Sequence, residues 1–404
     1  MSKIEKKVLD FVTNNIAYFM LGLAILAGLV IRFSLRGIVS DDMGTDYLVW
    51  ADAYSKMTLW EALGTPLGNY SALYQLMLFI LARIPVLSVV SRIKFVSCLF
   101  DFLIAGLAFY IGKKEFKSVW KAVLLFSLVF LCPIVFLNSA AWGQCDSIFG
   151  FFLLLSMYLL MKDRPIPAFI FLGISFSWKL QAVLLIPFFI IKYLKDKKFS
   201  ILCFLIIPAV MLFLNIPFIM AGRPVASIFG TYSSQVSIYP ESIYINFSNI
   251  YALFVADLNA GALGGFASYG AVLLAVCALG ILAVIIIRKK KPVSLQDDLY
   301  IGFLLAFTAV MFLPKMHDRY GYVYEILALV LCVTNRKTIV PCILLLAQSL
   351  FHYGLCLTGF QAMPLWVATF LYIGAYVWYL AIYFKKDTVF PNIDVKDKDG
   401  KLLC

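Results

Sequence analysis

Four short polar stretches interrupt an otherwise apolar chain. The first is Ser40-Asp41-Asp42-Met43-Gly44-Thr45-Asp46-Tyr47, with its carboxylates crowded immediately after a long apolar run. The others are Trp142-Gly143-Gln144-Cys145-Asp146-Ser147, Ser177-Trp178-Lys179-Leu180-Gln181 and Pro314-Lys315-Met316-His317-Asp318-Arg319-Tyr320. Their side-chain types divide cleanly. Asp41, Asp42, Asp46 and Asp146 are acceptors and candidate bases. Lys179, Lys315, His317 and Arg319 are donors suited to a phosphate, which Arg grips as a fork and Lys meets as a point charge. A base beside a phosphate clamp suits transfer of a group from a phospho-lipid to a hydroxyl. The base removes the acceptor proton and the cations stabilise the departing phosphate. Tyr47, Trp50, Trp60, Tyr70, Trp142 and Trp178 offer aromatic faces on which a sugar ring can stack.

The surrounding sequence must hold these residues in a membrane. Of 404 residues, 63% are hydrophobic and 14% charged, and the mean hydropathy is +0.93. Runs of about 20 apolar residues recur, each long enough to cross a bilayer. In lipid the backbone must satisfy its own hydrogen bonds, so the spans are helices. The expected fold class is an all-α polytopic bundle of about twelve spans. These fall near 14–35, 92–112, 119–137, 146–161, 166–178, 180–194, 201–220, 270–287, 299–313, 320–334, 338–358 and 365–384. The apolar stretch 72–90 contains Arg83 and Pro85 and reads as an interfacial or re-entrant part of a long first loop, 37–91. A second long loop covers 221–269, and a polar tail covers 389–404, leaving 1–388 as a single transmembrane domain. The basic N-terminus reads as the lead into a retained first helix.

Charge fixes the expected orientation. All but ten of the 34 Lys and Arg fall in seven short segments that this span count puts on one side, which is therefore cytoplasmic. Both termini are then cytoplasmic, and the four polar stretches face outward. The net charge of +12 sits in these topogenic clusters, so it does not point to nucleic acid. The nine cysteines show no CxxC or zinc spacing, and two histidines, His317 and His352, cannot build a histidine-rich metal site. No GxxxxGK[ST] is present, which argues against ATP-driven transport by this chain alone.

Read together, SDDMGTDYLVW and GTPLGNYSALYQLMLFILARIP resemble the first external loop of GT-C polytopic glycosyltransferases. The resemblance is to bacterial mannosyltransferase-like proteins related to the GPI mannosyltransferase II group. Asp42 and Trp50 keep that family's Asp-to-Trp spacing. WGQCDS resembles its WGQ-x-DS, FSWKLQAVLLIP its F-K-x-Q pattern, and FLPKMHDRYGY its FLPKMHERY. IYINFSNIYALF resembles its Asn-rich loop through Asn246 and Asn249. The motifs run in family order from about residue 25 to 335. Asp41 stands where the family often has a small residue, Val49 replaces a common Pro, and Ser71-Ala72 replaces a Pro pair.

The resemblance implies a sugar donor carried on a polyprenyl phosphate, undecaprenyl phosphate in bacteria, and used on the outer face of the cytoplasmic membrane with inversion. It implies Asp42 as base, with Asp41 second. Lys315, His317, Arg319 and Lys179 would hold the donor phosphate. Asp46, Trp50, Tyr70, Trp142, Gln144, Asp146, Gln181, Asn246 and Asn249 would meet the sugar or the acceptor. The acceptor would be a cell-envelope glycan, such as a wall polysaccharide, or a lipid-linked glycan. No cofactor is required; a divalent ion at Asp41, Asp42 and Asp146 is an option through oxygen ligands.

Ordinary structural roles compete at each position. The first-loop acids can be solvated or cap a helix. Asp146 can sit favourably at a helix N-terminus. Lys179, Arg92, Lys94 and Arg223 can snorkel from span ends. His352 can be a packing residue, and Glu325, within a span, must pair or line a cavity. A secondary transporter or flippase of lipid-linked sugars shares the helix count and a phosphate site, although no repeat of paired broken helices is visible. A scaffold subunit would need no such cluster of acids and cations.

Overall fold

A computed structural model describes residues 1–237, 242–254, 264–289 and 294–385. The expected tail at 389–404 lies outside them, as do 238–241 and 255–263 of the second long loop. The chain is an all-α membrane protein. Its helices are α1 (Lys3–Asn14), α2 (Ile16–Leu35), α3 (Leu48–Ser55), α4 (Leu59–Gly64), α5 (Ala72–Arg83) and α6 (Val89–Lys114). They continue with α7 (Val119–Phe130), α8 (Pro133–Phe136), α9 (Asp146–Met161), α10 (Pro165–Trp178), α11 (Ile186–Asp196) and α12 (Ile206–Met220). The last are α13 (Val225–Ser237), α14 (Gly264–Arg288), α15 (Leu295–Phe312), α16 (Tyr322–Thr334), α17 (Ile339–Thr358) and α18 (Leu365–Phe384).

Among the described residues, seven helices are long and apolar enough to cross a membrane, or eight if the bent pair 119–130 and 133–142 forms one span. The expected boundaries shift where the backbone cannot continue as α-helix. The run 14–35 breaks at Asn15, so α1 is separate and α2 begins at Ile16. The run 119–137 breaks before Pro133, which lacks an N–H, and the two pieces meet at 46°. The run 180–194 is a tight 3-10 turn, Leu180–Leu185, leading into α11. The stretch 72–90 divides at Pro85. Its 12-residue helix α5 is about 18 Å long, too short to cross alone, and α6 starts afresh behind the cap of Ser88.

Burial sorts the long helices. α15 is the centre, with 78% of its span buried, against 22% for α2, the span ending in α12, and α14. The outer helices carry large apolar side chains such as Leu26, Phe213 and Leu273 on exposed faces, which lipid solvates. Small residues allow close crossings, as in other membrane bundles. A Cβ on Gly112 of α6 would lie 2.6 Å from the Ala122 Cα of α7. Gly112→Val should therefore push these helices apart and destabilise the protein by about 1–3 kcal/mol. Thermal unfolding in detergent reads this out.

Several charged residues inside the bundle form ion pairs. Arg32 of α2 donates through Nε to Asp101 of α6 at 3.0 Å, and through Nη1 to the Phe130 carbonyl at 2.9 Å. Ser139 also donates to Asp101. Lys192 of α11 meets Asp298 of α15 at 2.8 Å and also pairs with Asp196. The opposite end of α15 runs into the segment 313–321. That segment pairs with the second long loop through a two-residue parallel ladder, β1 (Tyr244–Ile245) on β2 (Met316–His317), a contact that the sequence patterns do not suggest.

Candidate active site

Two π-helical turns carry the centre of the site. Widened turns of this kind concentrate at functional sites. Met43–Tyr47 forms the first, directly after Asp42, and Leu137–Trp142 the second. The second ends at Gly143, whose φ of +81° suits glycine, and the Gln144 N–H then donates back to the Asn138 carbonyl at 3.0 Å. This reversal aims Trp142 and Gln144 at the first turn. Trp142 Nε1 donates to Asp42 Oδ2 at 3.1 Å, and Gln144 Nε2 donates to the same oxygen at 2.5 Å. The Ser40 hydroxyl donates to the Trp142 carbonyl at 2.7 Å, tying the two turns together.

Behind Asp42 lies a buried charge cluster. Arg319 Nη2 is 3.9 Å from Asp42 Oδ2, its Nε is 3.7 Å from Asp146 Oδ2, and its Nη1 is 3.3 Å from Asp318 Oδ1. Lys179 pairs with Asp146 Oδ1, and Asn138 Nδ2 donates to Asp146 Oδ2 at 2.9 Å. Asp146 thus sits in the first turn of α9, where negative charge is favoured, and also anchors both cations. The Arg319 guanidinium also lies 5.1 Å from the Trp142 ring centre. Asp318, unassigned from sequence, is buried and accepts from Cys356 Sγ at 2.7 Å. Burial pushes its carboxyl pKa up.

The carboxylates of the first loop separate by environment. Asp41 is exposed, whereas Asp42 keeps 36% of its side chain accessible while gripped on one oxygen. Asp46 is partly buried, and burial followed by the Asp42 charge raises its pKa. Asp41, Asp42 and Asp146 do not converge, because Asp146 faces Lys179 and Arg319. Among the described residues no group of three or more His, Cys, Asp or Glu is placed to hold a metal ion.

His317 differs from the cation expected of it. Burial, then the charges of Arg319 and Lys179, lower its pKa to about 3. In the protein without ligand it is a neutral imidazole that can bond to an oxyanion without carrying charge. A histidine depressed in the folded state but ordinary when unfolded takes up its proton on unfolding. The stability it contributes is full above about pH 6.5 and declines as pH falls towards 3. Wild type should therefore lose thermal stability between pH 6.5 and 5 more steeply than His317→Gln. Equal slopes in paired melts would overturn this.

The remaining expected residues fall into two groups. Tyr70 and Trp142 join the Asp42 surroundings, and Lys315 leads into β2 with a left-handed φ of +60°, its N–H donating to the Ile243 carbonyl at 2.5 Å. Gln181, next to Tyr320, has a buried Oε1 without a hydrogen-bond partner among the described residues. Others serve the scaffold. Trp50 packs on Gly68, where a Cβ would collide with its ring. Asn249 is fully buried; it caps a short turn by accepting from the Tyr251 N–H at 3.2 Å and donates to the Leu313 carbonyl at 3.3 Å. Asn246, with a left-handed φ of +47°, donates weakly to Cys356 Sγ at 3.8 Å.

Lys94 and Arg223 do not snorkel: both are buried and hold carbonyls. Lys94 Nζ donates to Leu35 and Ile38, closing the end of α2. Arg223 donates to Ala62, Leu63 and Thr65 around the end of α4, and to Gln75 of α5 at 2.9 Å. His352 is a buried packing residue bonded to Ser248 at 3.0 Å, and Glu325 accepts from Ser349. Compared with known protein families and with curated protein sequences, the chain matches no family model and no curated sequence.

Proposed function

We propose that this chain is a membrane glycosyltransferase of GT-C type with twelve spans. Some crossings are completed by the shorter apolar helices α9, α10 and α16. The site faces the outside of a bacterial cytoplasmic membrane, with both termini inside. The donor is a sugar on a polyprenyl phosphate, and the acceptor is a hydroxyl of a cell-envelope or lipid-linked glycan. One observation carries the reading: an accessible Asp42 carboxylate lies beside the buried cation Arg319, which shares Asp146 with a second buried cation, Lys179. In the reaction, Asp42 takes the proton of the acceptor hydroxyl. The acceptor oxygen bonds to the anomeric carbon as the carbon–oxygen bond to phosphate breaks. The electron pair leaves on the polyprenyl phosphate, opposite the attack, so configuration inverts. Arg319 and Lys179 meet the phosphate charge, with His317 as a neutral donor and Lys315 at the loop edge. No metal is needed in this scheme.

The test uses the purified protein in lipid vesicles with a panel of synthetic polyprenyl-phosphate sugars and a membrane extract as acceptor source. Loss of sugar from one donor, with its transfer to an extract component, is the expected result. Labelled donor crossing the bilayer without being consumed would replace the reading with that of a flippase.

A further inference from the structure

The hydrogen bonds around Asp42 are one-sided. Trp142 and Gln144 both donate to Oδ2, and Arg319 approaches the same atom, while Oδ1 has no protein donor among the described residues. The orientation of the Gln144 amide therefore decides whether Asp42 is held or repelled. Were the amide turned over, its carbonyl oxygen would face the carboxylate at hydrogen-bond distance. The ionised carboxylate, an acceptor only, selects the N–H side, and two tyrosines of the first loop hold the carbonyl side in place. Tyr47 and Tyr70 each place a hydroxyl 3.1 Å from Gln144 Oε1, and these hydroxyls are 2.7 Å apart. The triangle contains three contacts and two protons. However the protons are arranged within it, at least one reaches Gln144 Oε1. Burial raises both phenols, Tyr70 to about 12, so they remain donors at neutral pH.

We infer that Gln144, locked by the Tyr47–Tyr70 pair, is a positioning residue that pins Asp42 through Oδ2 and leaves Oδ1 as the oxygen that receives the acceptor proton. The inference rests on the proposed transfer reaction for its purpose and on the hydrogen bonds alone for its geometry. It moves Gln144 and Tyr70 from sugar contacts to the support of the base. The other groups facing Asp42 are Arg319, Asp46, Asp318 and Tyr74. All are unchanged in the variants below, so differences between proteins report the lock.

The triangle makes an unusual forecast. Tyr47→Phe alone and Tyr70→Phe alone each leave one proton for Gln144, whereas the double variant leaves none. Each single should lower kcat measurably, but by far less than the double variant. The double should lose roughly 10- to 100-fold in kcat at little change in donor KM, a strong departure from additivity. A second measurement needs no substrate. Infrared spectra of carbon-13 aspartate-labelled protein, with the Asp42 carboxylate band assigned by its loss in Asp42→Asn, should show that band displaced in the double variant and in place in each single variant. Gln144→Met should displace it likewise, and covers the case in which the double variant fails to fold. An unmoved band in the folded double variant or in Gln144→Met would overturn the lock, whatever the enzyme transfers. A displaced band in a protein that consumes no donor would instead keep the lock and remove the transferase reading.

Discussion

Asp42→Asn should abolish sugar transfer while leaving the protein folded and able to bind donor. The amide is nearly isosteric and its carbonyl can still accept from Trp142 and Gln144, whose donors converge on one oxygen. What it cannot do is take a proton. General-base catalysis contributes about 10²–10⁴-fold, and a loss of that size in kcat with donor KM little changed is the expected signature. Asp41→Asn is the internal control. Asp41 is exposed and outside the hydrogen-bond network, so its variant should retain turnover within about threefold. Full activity in Asp42→Asn, or a dead Asp41→Asn, would remove Asp42 from the mechanism.

The largest effect on stability is expected at Asp101. This carboxylate is completely buried, and Arg32 beside it is 5% exposed. Asp101→Leu strands the guanidinium in the bundle, and breaking a buried pair in this way typically costs about 3–5 kcal/mol. Removing both charges with Arg32→Met and Asp101→Leu should recover most of that loss, because the desolvation of two ions disappears with the pair. Thermal unfolding of the single and double variants in the same lipid or detergent compares them directly. A double variant no more stable than the single would show that the pair is not what matters there.

The polar stretches of the sequence supplied much of the site, because charged residues beside long apolar runs are conspicuous. Asp42, Gln144, Asp146, Lys179 and Arg319 do meet in space. Asp101 carried the same signal, as a lone acid in an apolar span, and so did Asn138 near the end of one. Tyr74, beside Asp42, and Tyr353, whose hydroxyl accepts from Asn138 Nδ2 at 3.0 Å, carried none, since a tyrosine near a membrane boundary is ordinary. Helix periodicity failed at 43–47 and 137–142, where π-helical turns shift the phase of everything that follows. It also failed for Arg223 and Lys94. A basic residue at the end of a span snorkels by default, and no local pattern announces that carbonyls elsewhere in the chain are waiting for it.

Those waiting carbonyls have a consequence for how the protein is made. The end of α4 at Leu63 receives its partner from Arg223, 160 residues later in the chain. At a synthesis rate of about 5–20 residues per second, the first long loop spends roughly 8–32 s without that anchor after it emerges. Through that interval the arm bearing Asp42, Tyr47 and Tyr70 has only its local contacts. The loop cannot be completed until α12 is inserted, so the site is assembled late even though its key acid is made early.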